Sequence, residues 1–147
     1  MADYIEELAE QVRADAVTLS PALDHALAAL DAEMEQLCAD LQVPYIGPGV
    51  GMADMAAEHV YRLVVAEHEW DRVTRAWGLK VCDSLDNCDL RPMWTVQGVG
   101  RLRKRQVVRA LPAFFEGYAR AVKEAGRSDT AAGGRLLAMA ERLAGSR

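Results

Sequence analysis

Three groups of side chains in this 147-residue chain have types and spacings that could do chemistry: the histidines, an aspartate- and cysteine-rich stretch, and a run of arginines. The histidines are His25, His59 and His68. A helix through residues 53–77 puts His59 and His68 nine positions apart, on opposite faces, so they cannot share a metal within one chain. No Glu-x-x-His pair exists, which excludes a di-iron bundle. His59 falls in an apolar stripe with Trp70 and Trp77 and reads as a histidine hydrogen-bonded to a facing helix. A buried polar or ligand site formed by His59, Trp70 and Trp77, for haem or as a pH sensor, is the sharper alternative.

The stretch CDSLDNCD (82–89) gathers Asp83, Asp86, Asn87 and Asp89 between two cysteines. It lacks the central glycine and terminal glutamate of a calcium loop, and its cysteine spacing is not C-x-x-C. Local turn formation by Asx side chains accounts for it. The glycines of IGPGVG (46–51) have neither an uninterrupted strand before them nor a following Lys-Ser/Thr, so they do not make a phosphate loop. No serine or cysteine sits in a nucleophile elbow. The chain is therefore expected to be non-enzymatic, with no metal and no cofactor.

The basic run is the most unusual feature. GVGRLRKRQVVRALP (98–112) places Arg101, Arg103, Lys104, Arg105 and Arg109 within nine residues of a chain whose net charge is −5. Three readings compete. The arginines form a solvated helix face, or they meet nucleic acid, or they meet acidic protein. Gly98 and Gly100 would let the backbone approach a phosphate closely. Against nucleic acid stand 22 acidic residues, a pI near 5.2 and arginines without interleaved aromatics.

The third reading follows from the charge layout. Residues 1–40 carry a local charge of −9, residues 41–90 of −4 and residues 91–147 of +8. Complementary ends of this kind set the register and rate of association. Within one chain such ends can lie across the bundle from each other, and between copies they give a head-to-tail contact.

The elements that must position these residues read as helical. Asp3 and Glu6 start a helix over 4–18 with a stripe of Ile5, Leu8, Val12 and Ala16. Ser20-Pro21 caps a second helix to Leu41. Its leucines and Met34 alternate in steps of four and three, a heptad seam. The same spacing from Met52 to Trp77 predicts a third helix over 53–77, closed by Gly78 and packed against the second as a helical hairpin. Residues 42–51 read as a flexible connector. Residues 79–100 read as irregular, with LKVC and MWTV as a short β-hairpin in the alternative. Val107 to Val122 predict a fourth helix, which Pro112 either kinks or divides, and Leu136 to Leu143 a last one ending at Gly145.

The expectation is thus a single all-α domain, a bundle of four to five helices. Its three cysteines, odd in number, suit a reducing compartment, and no apolar run is long enough to span a membrane. A cytoplasmic location is expected, or a virion if the protein is viral. The expected function is structural: homo-oligomeric assembly through acidic N-terminal and basic C-terminal surfaces, as in a subunit of a larger particle such as a viral connector ring. The alternatives are a small nucleic-acid-binding or regulatory protein using 101–109 and, less favoured, a ligand-binding helical bundle.

Overall fold

A computed structural model describes residues 3–50, 61–69, 73–85 and 89–144. The order of elements is α1 (Tyr4–Arg13), α2 (Pro21–Leu41), β1 (Tyr45–Gly49), β2 (Tyr61–Glu69), β3 (Arg75–Leu85), β4 (Asp89–Thr95), α3 (Arg101–Glu124) and α4 (Ala131–Ala144). Among the described residues four helices flank a four-stranded antiparallel meander ordered β1-β2-β3-β4, so the fold is α+β and the all-α bundle is overturned. The helical hairpin of 21–41 with 53–77 does not exist. Residues 61–69 and 75–77 of the expected third helix are strand, and the rest of that stretch has no helix among the described residues.

The reason lies in burial. Leu63, Val64 and Val65 are consecutive and all buried, as are Leu79 to Asp83 in β3. A strand covered on both faces shows no alternation, and a run of apolar residues then satisfies a helical spacing by accident. The register pairs Leu63 with Val81 and Val65 with Leu79, and all four side chains join the main core. The hairpin alternative for 79–100 is realised, and extended, as β3 and β4.

The connector 42–51 contains β1, an edge strand that tolerates Pro48. Gly47 has a specific purpose there. A Cβ at that position would lie 2.6 Å from the Leu63 carbonyl oxygen and 2.9 Å from the Phe114 ring, so only glycine lets α3 press this close. Tyr45 stacks on Tyr118 and tilts against Phe114, with ring centroids 5.8 and 5.7 Å away. Tyr118 donates its hydroxyl to the Val43 carbonyl at 3.0 Å, which satisfies a fully buried phenol.

The helices match their sequence signals more closely. Ser20 Oγ accepts from the Leu23 amide at 3.1 Å with Pro21 at the first position of α2. Leu23, Leu27, Leu30, Met34, Leu37 and Leu41 are all buried. Gln42, at φ 53°, ends α2 in the left-handed conformation. The first helix stops at Arg13 rather than residue 18. Pro112 sits inside one continuous α3. Helix α1 packs on α2, α3 and α4, α2 on β3, and α3 on α4 and β1. No helix among the described residues is long and apolar enough to cross a membrane.

Candidate interaction surface

Within the basic run, structure separates cations that hold the fold from cations that do not. Lys104 Nζ donates to Asp24 Oδ1 of α2 at 2.6 Å. Arg109 donates to the Asp15 carbonyl just past α1 and to the Val12 carbonyl in its last turn, at 2.6 and 3.3 Å. Arg103 lies over the Tyr61 ring, 4.4 Å from its centroid, and 6.0 Å from that of Trp94. It also donates to Gln106 Oε1 at 3.2 Å and, more distantly, to the Val50 carbonyl at 3.5 Å. Arg101 and Arg105 are exposed and make no hydrogen bond or ion pair among the described residues. Between them projects Leu102, 69 % exposed.

The start of α3 is electrostatically unusual. It has no acidic residue in its first turn, and Gly100 offers no capping side chain. Cations at a helix N-terminus oppose the macrodipole by about 0.3–1 kcal/mol each. Asp24 of α2 offsets this at Lys104. Nothing described offsets it at Arg101 or Arg105. A local rule broken without internal compensation is a mark of a functional surface. Beside it an open concavity of about 330 Å³ is lined by Trp94, Val99, Gly100, Arg101, Leu102 and Arg103.

The C-terminal basic side chains reach back to the acidic N-terminal elements. Arg135 of α4 pairs with Glu33 and lies 3.7 Å from Asp3, and Arg142 pairs with Glu6. Part of the charge asymmetry of the sequence is therefore closed within the chain. Along α1 and the start of α2, Glu10 keeps no partner among the described residues, and Glu7 accepts only from Gln11. They help line an open groove of about 360 Å³ together with Tyr4, Ala22, His25, Ala26 and Ala29.

The remaining sequence candidates behave differently. His59 and Trp70 lie outside the described residues, as do Asp86, Asn87 and Cys88. Trp77 is in β3, half-buried against the core and opposite Glu67. His68 is in β2 and buried. Its Nε2 lies 3.1 Å from the Val64 carbonyl, so that nitrogen carries the proton and Nδ1 faces Cys82 Sγ at 4.0 Å. Burial pulls His68 below the usual histidine value, with Lys80 acting in the same direction. Burial pushes the Cys38 and Cys82 thiols up to about 12. Such thiols stay protonated and unreactive at neutral pH. No group of three or more His, Cys, Asp or Glu side chains among the described residues could hold a metal ion.

Sequence reasoning missed four participants. Asp31 accepts from the Val96 and Gln97 amides at 3.0 and 2.8 Å and so fixes the turn that launches α3. Burial raises its pKa, while those two amides pull it down. Tyr61, 42 positions before Arg103, and Trp94, nine positions before it on another element, embrace it and carried no signal. Leu102 did carry one: it stands apart from the inward stripe of Val107, Val108 and Leu111.

Comparisons with protein-family models, curated proteins and solved structures find no match.

Proposed function

We propose that this chain is a non-enzymatic interaction protein that self-associates, with Arg101, Leu102 and Arg105 as its basic contact surface. The observation that carries the reading is a 69 %-exposed leucine bracketed by two arginines without partners among the described residues, on a helix whose neighbouring cations are locked in place. A rigid, mixed basic and apolar patch suits an acidic protein surface, in which the apolar residue is desolvated and the charges set orientation. A subunit of a larger protein assembly is the role this favours.

The test is molar mass by light scattering at low and then high salt. Self-association predicts a mass above one chain that falls as salt rises. A monomer at both salts removes the reading.

The uncapped start of α3 beside its concavity favours a second reading, an anion such as a nucleic-acid phosphate. Two of the five cations have no partner among the described residues, so the logarithm of the binding constant would fall with salt at a slope of only about −2. A salt titration of binding to a short duplex measures that slope directly.

A further inference from the structure

We infer that the partner of the α3 patch is the α1/α2 groove of a second copy of this chain, Leu102 entering over the α2 alanines while Arg101 and Arg105 meet Glu10 and Glu7. The inference rests on the self-association reading and assigns its other half. Three observations support it. The groove is apolar along the α2 side, with Ala22, Ala26 and Ala29, and acidic along the α1 side. The two surfaces are opposite in charge, and Arg101, Leu102, Arg105, Glu7, Glu10, Ala22 and Ala29 are all exposed or half-buried in the single chain. Their spacings also agree. Arg101 and Arg105 stand four apart on α3, Glu7 and Glu10 three apart on α1, and both separations put side chains about 5–6 Å apart on one helix face. Two helices lying side by side can then form both ion pairs at once, with Leu102 between them and the groove.

The two surfaces are different patches, so the contact is heterologous. Unlike an isologous dimer contact, it leaves a free groove and a free patch after each addition and leads to rings or filaments. The patch is small, so each contact is weak and the mass rises progressively with concentration.

The test is a charge exchange read by light scattering at low salt. One variant carries Arg101→Glu and Arg105→Glu, the other Glu7→Arg and Glu10→Arg. Each alone is expected to weaken association by at least about tenfold, because like charges then face each other. Mixed in equal amounts, they are expected to restore it, since each supplies the complement of the other. If the wild type is monomeric at both salts, the self-association reading itself falls. If the arginine variant loses association while the glutamate variant keeps it, or if mixing restores nothing, the patch stands but the groove is overturned as its partner. If neither variant changes association, patch and groove are both overturned. Should circular dichroism show that a reversal unfolds the chain, Arg105→Gln and Glu10→Gln replace them. Each is then expected to weaken association about threefold, and an unchanged mass overturns the surface tested.

Discussion

Arg135 grips Glu33 with two parallel hydrogen bonds, Nε to Oε2 at 2.7 Å and Nη2 to Oε1 at 2.9 Å, across 102 positions of the chain. Glu33 also accepts from the Tyr4 hydroxyl. One carboxylate thereby ties α1, α2 and α4 together. Fork-to-fork geometry fixes direction as well as distance, which a lysine could not do.

Glu33→Gln is expected to lower stability at pH 7 by about 1–2 kcal/mol, a value held down because the pair is partly solvent-exposed. The arginine beside it, joined by the Tyr4 hydroxyl, holds the Glu33 carboxyl below its usual value against the opposing effect of burial. Its contribution is therefore complete above about pH 4.3 and disappears as pH falls through the lower folded-state value. Urea denaturation of both proteins at pH 7 and pH 3 checks this. The gap between them should narrow at the acid end.

His68 predicts a separate loss of stability at milder pH. Its folded-state value lies below the unfolded value of about 6.5, chiefly through burial. Stability is complete above pH 6.5 and is lost as pH falls through the folded value, because the buried ring must then take a charge. Histidine NMR should show the His68 ring titrating below the free imidazole value, and a His68 ring that titrates at or above 6.5 would exclude the burial argument.

The cations of α3 should separate in a thermal melt. Arg103→Ala removes the contact with the Tyr61 ring and is expected to cost about 1 kcal/mol. Arg101→Ala and Arg105→Ala, measured on dilute protein, should stay within about 0.5 kcal/mol of wild type or stabilise slightly by relieving the helix dipole.

Two adjacent glycines at the start of α4 should respond in opposite directions. A Cβ on Gly133 would collide with the Arg127 carbonyl, a backbone atom that cannot rotate away. Gly133→Ala is expected to destabilise by about 1–3 kcal/mol. Gly134 has no atom within 4 Å of the same position. Gly134→Ala should stabilise by up to about 1 kcal/mol through helix propensity. Paired melts of the two variants decide it.

Cys38 and Cys82 should resist a thiol-specific reagent at pH 8 and react on unfolding. Their burial and raised values leave little thiolate and no access. Fast labelling of either cysteine, located by mass spectrometry, would contradict the buried placement.

What the sequence revealed and what it concealed divide along a physical line. Local signals were legible: Ser20-Pro21 opened α2 where expected, Gly126 at φ 73° followed α3, and the leucine seam of α2 is buried along its length. The sheet was not legible, because Leu63-Val64-Val65 is covered on both faces and Pro48 with two glycines disguises β1. Strand pairing is decided by distant segments, and nothing within 61–69 announces its partners at 75–83. The basic run was conspicuous in sequence. Its division was not, since Asp24 and Tyr61, which engage Lys104 and Arg103, lie far away along the chain.

The packing of α1 against α4 has a consequence for how the molecule is made. Ile5 and Leu8 are fully sequestered in the finished core, yet part of what shelters their helix emerges from the ribosome more than a hundred residues later. Until α4 arrives, α1 has an unfinished seat, and its apolar stripe is available to chaperones or to neighbouring nascent chains. Long-range closure of this sort raises contact order and slows the final step. The seat of α1 is thus complete only once α4 has been made, so the helix that carries the acidic side of the groove cannot reach its final packing co-translationally before that point.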